Sequence, residues 1–444
     1  MSKTTRRAFH LTGLSALAMA AAGVAPLSAQ LRVDITSGRV EPMPIALSPL
    51  FGASEDDASL GAAMTEIVAA DLEGSGMFRV IDRLAYIQSP GELQEVPRFA
   101  DWRQINAQAL VSGRIDRQGA NGLAVEFRLW DVFAGSQMRG LRYDGERDNW
   151  RRIAHKIADV VYERLTGDGG YFDTRIVYIA ENGPATRRIK RLAIMDQDGA
   201  NHRFLTDGSR LVLTPRMAPD ARRVAYLVYQ SPAPQIYMRD LSTDRENVLG
   251  SFRGMSFSPR FSPDGSRMLM TLASDGNSDI YAFSTSSREA RRLTAGPAID
   301  TSPTFSPDGQ RIAFNSDRGG SPQLYVMDGD GDGGNTARIS FGSGHYGSPA
   351  WSPRGDLIAF TKIKGGMFHI GIMEPDGSNE RLLTRSFLDE GPTWSPNGRV
   401  IMFSREDPRT DRTRLFTIDI TGYNEREVPT PLDASDPDWS PLIS

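Results

Sequence analysis

One heptapeptide recurs through the second half of the chain, and its spacing leaves few folds open. The pattern is Pro, any residue, an apolar residue, Ser, Pro, Asp or a substitute, Gly. It reads Pro259-Arg260-Phe261-Ser262-Pro263-Asp264-Gly265 and returns at Pro303 to Gly309, Pro349 to Gly355 and Pro392 to Gly398. A worn copy stands at Pro215-Arg216-Met217-Ala218-Pro219-Asp220, and a truncated one at Pro437-Asp438-Trp439-Ser440-Pro441. The second prolines fall at 219, 263, 307, 353, 396 and 441, so the period is 43 to 46 residues. That length fits four short strands per unit, the blade of a β-propeller.

The copy at Pro303 shows the strands best. Thr304-Phe305-Ser306 reads as a short first strand and Pro307-Asp308-Gly309 as a turn. Proline fixes φ there and glycine allows φ > 0. Arg311 to Asn315, Gln323 to Asp328 and Arg338 to Ser340 complete the unit by alternation and β-branched or aromatic content. First strands occur six times, the last at Asp438-Trp439-Ser440. Second strands also occur six times, beginning at Arg175, Arg223, Arg267, Arg311, Leu357 and Val400. The series opens with a second strand and closes with a first strand. A six-bladed ring follows, closed when the C-terminal strand completes the blade begun at Arg175. Closure removes the free sheet edges that an open solenoid, the alternative, would keep.

Residues 45–168 lack the repeat and read as an α/β domain. Strands are predicted at Ile45 to Phe51 and Phe78 to Asp82, with a helix over Asp57 to Leu72 between them. A short helix over Asp101 to Gln108 precedes a meander of Ala109 to Ile115, Leu123 to Trp130 and Ser136 to Tyr143. Asp148 is the expected cap of a last helix that buries Ile153, Ile157, Val161 and Leu165 and stops at Gly167. The fold class is therefore an α/β N-terminal domain followed by an all-β six-bladed β-propeller over residues 174–444.

Residues 1–29 read as an export signal. Lys3, Arg6 and Arg7 form the positive region and Leu11 to Ala25 the apolar one. Cleavage is expected between Ala29 and Gln30, leaving residues 30–44 as a mobile polar arm. An uncleaved anchor is the alternative, but the apolar run falls short of the ~20 residues that span a bilayer. Thr5-Arg6-Arg7-Ala8-Phe9 also matches the start of a twin-arginine signal, so either export route leads to the periplasm. The chain has no cysteine, which suits an oxidising space and excludes disulfides, thiolate metal sites and a Cys nucleophile. A net charge of -4 argues against nucleic acid as a partner.

Loops entering the first strands sit at one mouth of a propeller's channel. Met255, Asp300, Thr301, His345, Tyr346, Asp389, Glu390 and Asp436 occupy those positions. Four of these eight are acidic, which suits a cationic or hydrogen-bonding partner, although Asp also favours turns for its own sake. His345 is a candidate general base if a neighbouring blade supplies a carboxylate. Asp328, Asp330 and Asp332 alternate with glycine as in a calcium loop, but Ile339 stands where the bidentate Glu belongs. A lengthened hairpin turn is the plainer reading, as for Asp196-Gln197-Asp198-Gly199 in another blade. No cofactor motif is present: neither a phosphate-binding loop nor a Gly-x-Ser-x-Gly elbow occurs. A propeller hydrolase or lyase, or a small-molecule binder using the channel, remains the rival reading.

The domain order, the repeats and several segments together resemble the TolB family of the periplasmic Tol-Pal system. The specific segments are Leu165-Thr166-Gly167, Thr174-Arg175-Ile176-Val177-Tyr178, Leu324 to Asp328, Phe387 to Pro392 and Trp439-Ser440-Pro441. The resemblance implies a non-enzymatic scaffold for outer-membrane integrity and for invagination of that membrane at division. It implies that the Pal lipoprotein docks at the propeller mouth, on Thr301 and the seven residues named with it. It further implies that the arm, Gln30, Leu31, Arg32, Val33, Asp34 and Ile35 onward, engages TolA. The protein would then be a monomer, peripheral to the outer membrane through Pal, with no cofactor. Two departures stand out: Ala221 replaces glycine in the worn repeat, and the Asp328 turn is longer and more acidic than the pattern.

Overall fold

The structure is a computed structural model that describes residues 41–230, 233–252, 255–274, 276–329 and 335–443. The leader, the cleavage point, the arm as far as residue 40, and Asp330 and Asp332 lie outside the described residues.

Strand β1 (Met43–Leu47) begins two residues before the predicted strand, and a short β2 (Phe51–Gly52) follows. Helix α1 (Glu55–Gly74) starts where Ser54 Oγ accepts the Asp57 N–H at 3.2 Å. Glu55, Asp56 and Asp57 sit in its first turn, where the helix dipole favours negative charge. The helix buries Met64, Ile67, Val68 and Leu72 and carries the chain to β3 (Phe78–Val80), parallel to β1. After the short α2 (Phe99–Gln104), β4 (Ala109–Gln118), β5 (Gly122–Asp131) and β6 (Ser136–Glu146) form the antiparallel meander. The sheet order is β3-β1-β4-β5-β6, with β2 paired to β4.

Helix α3 (Trp150–Thr166) buries Ile153, Ile157, Val161 and Leu165, and Gly167 ends it at φ +83°. The expected cap does not form. Strand β6 runs to Glu146, so Asp148 falls in a 3₁₀ turn (Arg147–Asn149), and Asn149 caps without a side-chain bond. That turn is pinned by the Arg147 N–H to Asn121 O at 2.7 Å, and the cap falls one residue later than expected.

The link out of α3 is tied down rather than loose. Asp159 accepts the N–H groups of Phe172 and Asp173 at 2.7 and 3.1 Å. Arg152 grips Asp173 through two bonds, at 3.0 and 2.9 Å.

From Arg175 on, the described residues form six four-stranded sheets. In five, four consecutive strands pair in chain order; the sixth joins Asp433–Trp439 to Arg175–Asn182. Ser440 N–H donates to Arg175 O and Arg175 N–H to Ser440 Oγ, both at 2.9 Å, so the chain's last strand closes the ring. Trp439 adds an Nε1–H bond to Thr174 Oγ1 at 2.8 Å.

Alternation along the second strands fills the spaces between blades. Ile312 and Phe314 join Leu269, Ile280 and Phe305 on one side. Ala313, between them, joins Ile358, Phe360 and Trp351 on the other. Tyr226, Tyr237 and Tyr325 are core as well. The Ser-Pro-Asp-Gly turns repeat one wiring: Ser262 Oγ takes the Arg267 N–H at 2.9 Å, and Ser306 Oγ takes that of Arg311 at 2.9 Å. Gly265 and Gly309 hold φ +70° and +69° there, whereas Ala221 is forced to +54° in the worn copy.

Candidate recognition mouth

Each first strand touches the first strands of both neighbouring blades, so the six line one channel. They are longer than the motif suggested, for example Asp300–Phe305 rather than Thr304 to Ser306. All six break register once, just before the motif's first proline. Proline brings no N–H to the ladder. In five of the six strands the residue before it takes a left-handed φ: Thr214 +45°, Ser302 +54°, Ser348 +46°, Gly391 +66° and Asp436 +51°. Such a conformation costs about 1–3 kcal/mol at a non-glycine residue. Bonds between blades hold it: Ser302 N–H reaches Thr271 Oγ1 at 3.2 Å and Thr214 N–H reaches Asp436 Oδ2 at 3.3 Å.

The bulge sets which side chains face the channel. In five of the blades the third residue before the proline is buried: Val212, Asp300, Tyr346, Asp389 and Ala434 are each at most 2% exposed. Among the next two in each blade, Ser302, Ser348, Glu390, Gly391 and Asp436 line a cavity of about 360 Å³. Glu390 has its carboxyl pushed up from the ordinary value by its enclosure in the ring, then by Asp436 and Glu406. Deeper in, Arg260 meets Asp438 at 3.2 Å, with Arg216 4.0 Å from the same carboxylate oxygen. Burial, then the like charge of Arg216, brings the Arg260 guanidinium down to about 9, against the pull of Asp438 and Asp436.

The eight expected residues therefore divide. Asp300 is turned inward onto Arg318 at 2.9 Å, and Asp389 onto Arg405 at 2.7 and 3.0 Å. Tyr346 gives its hydroxyl to Glu380 at 2.7 Å, with the Lys362 ammonium on the same oxygen. Its phenol is pushed up by burial and by Glu380. Thr301, His345, Glu390 and Asp436 keep solvent-accessible side chains. Met255 opens its strand (Met255–Phe261). The His345 ring has no hydrogen-bond or ion-pair partner among the described residues, so nothing orients it as a general base requires. Asp328 ends its strand and takes the Asn335 amide at 2.6 Å.

Residues 162–443 match the TolB beta propeller domain, and residues 31–138 the TolB amino-terminal domain. The Tol-Pal system protein TolB of Paramagnetospirillum magneticum strain AMB-1 is 60% identical over 428 residues, 95% of each chain. The chain belongs to the TolB family. The crystal structure of TolB from Acinetobacter baumannii superposes with a TM-score of 0.79 at 29% identity, covering 93% of this chain and 100% of that one. Part of Kuenenia stuttgartiensis hydrazine synthase aligns at TM-score 0.50 and 12% identity, over 61% of this chain and 47% of that one, which shows a shared fold alone.

Within this TolB propeller, sequence reasoning passed over the channel floor. Arg216, Arg260, Thr304, Ala350, Thr393 and Asp438 fill the variable second place of the motif, one per blade. Five of the six are polar or charged at a place flanked by proline and a core residue. That was the available signal. Thr393 Oγ1 also donates to Asp438 Oδ1, at 3.4 Å. No helix among the described residues is long and apolar enough to cross a membrane.

Proposed function

We propose that the protein is a non-enzymatic periplasmic scaffold of the Tol-Pal system. Its channel mouth takes the Pal lipoprotein, and the segment from Gln30 takes TolA. Through Pal it acts at the outer membrane, in membrane integrity and in invagination at division. The observation that carries this is the 60% identity to a Tol-Pal system protein over 95% of both chains. The mouth supports it. A ring of strained but cross-braced strand ends is preorganised, which lowers the ordering cost of binding. Thr301, His345, Glu390 and Asp436 are the accessible contacts; Asp300, Tyr346 and Asp389 brace the loops beneath them. The arm's affinity for TolA depends on whether the mouth is filled, because Pal contacts differ between the two arm states.

Calorimetric titration of the chain from Gln30 with soluble Pal of the same organism tests the reading. Saturable binding that Thr301→Arg abolishes is the expected result. Binding unaffected by that change moves the site away from Thr301. A folded protein that takes no Pal overturns the assignment.

A further inference from the structure

Far from the mouth, one cluster lies where α3 meets the propeller. His155, on α3, is 2% exposed. Its Nδ1 is 2.6 Å from Asp71 Oδ2 on α1, and Asp71 is itself buried and receives the Gln197 amide at 2.8 Å on its other oxygen. The second ring nitrogen, Nε2, has no hydrogen-bond partner among the described residues. It points at the hairpin turn Asp196-Gln197-Asp198-Gly199 of the first complete second-and-third-strand pair, with Asp198 Oδ2 at 3.9 Å. That separation is too long for a hydrogen bond. A ring nitrogen of His155 and one oxygen each from Asp196 and Asp198 lie within 4.8 Å of one another.

A buried imidazole with Nδ1 on one carboxylate and Nε2 facing two further carboxylates has the layout of a metal-ligand histidine and its orienting acid. We propose that His155, Asp196 and Asp198 bind a divalent transition ion of the zinc type, with Asp71 positioning the imidazole. Nitrogen and carboxylate donors suit zinc, and three protein ligands leave a coordination place for water. Bonds of about 2.0–2.2 Å require the carboxylates to close in by roughly an ångström. Both sit on or beside a hairpin turn, and Asp198 is a quarter exposed. Arg151 now pairs with Asp198 and yields that oxygen to the ion. A cavity of about 230 Å³ reaching Asp71 and Asp198 gives the ion its way in. Because His155 belongs to the N-terminal domain and both aspartates to a blade, the ion clips the two together.

The test uses the chain from Gln30, stripped with chelator and titrated with ZnCl₂ by calorimetry. Melting temperature and the visible spectrum of the Co²⁺ form are read in parallel. Asp71 loses its partner in His155→Gln, so the isosteric Asp196→Asn and Asp198→Asn variants carry the comparison. One-to-one binding, a melting temperature that rises with free zinc, and at least a tenfold loss of affinity in both variants support the proposal. So does a Co²⁺ ligand-field band present in the parent and absent in Asp198→Asn. No zinc effect in the parent, equal effects in all three proteins, or an equal response to Ca²⁺ overturns it.

Discussion

At the motif end of the first strands the residues repeat, and at the other end they do not. Phe261, Phe305, Trp351, Trp394 and Trp439 are each followed by Ser-Pro, and with their prolines they rim a cavity of about 380 Å³. Each packing place there recurs from blade to blade. Arg267 stacks 5.1 Å above Phe305, and Arg311 stacks 4.8 Å above Trp351 in the next blade. The entry end carries Thr214, Ser302, Ser348, Gly391 and Asp436 before the proline, and Leu211, Ile299, His345, Leu388 and Asp433 three places earlier. Packing between blades dictates the first set. The second set is bound only by the bulge and the channel, so its chemistry is free to serve recognition.

The comparison predicts a descending series of stability effects. Trp439→Ala removes a buried ring that packs edge-on to Tyr171 at 5.9 Å and fastens the closing strand. It should cost about 3–5 kcal/mol in urea unfolding. If the loss is under 1 kcal/mol, the motif end is not what holds the ring. Arg405→Met strands the fully buried Asp389, so a loss of about 3 kcal/mol is expected by the same measurement. That variant separates the bracing Asp389 from its accessible neighbour Glu390, whose change to Gln should leave stability alone.

Ala221→Gly relieves the positive φ of the worn turn and should stabilise by about 1 kcal/mol. A destabilised variant would mean that the Ala221 methyl contributes more by packing than its backbone costs. His345→Ala is the smallest: within about 0.5 kcal/mol of the parent, yet with weaker Pal binding by calorimetry. Unchanged binding would remove His345 from the recognition set.

Much of the propeller was legible because its grammar is local. Arg175, Arg223, Arg267, Arg311 and Val400 all begin second strands, and the Pro-Asp-Gly turns before Arg267 and Arg311 and the Pro-Asn-Gly turn before Val400 dictate three of these starts. Counting strand types was enough to show that Asp438-Trp439 must return to the blade of Arg175. The mouth was legible only by position. Counting alternate residues back from the motif fails at the bulge, where one extra residue shifts the phase. So Asp389 and Glu390, adjacent and both acidic, read alike in sequence but part company in space. The cap at Asp148 failed for a similar reason: a longer β6, fixed by pairing with β5, consumed the residues between.

The sequence by itself determined the six-fold repeat, the closed ring, the α/β character of the region before it and the family, because turn residues and alternation act within a few residues of themselves. Tertiary structure decided which mouth carboxylates face water and which lie on Arg318 and Arg405. It also brought His155 of one domain to the Asp196–Asp198 turn of the other. Those outcomes depend on groups 18, 16 and more than 40 residues apart in the chain. Only the folded packing of strands and helices sets the distances between them.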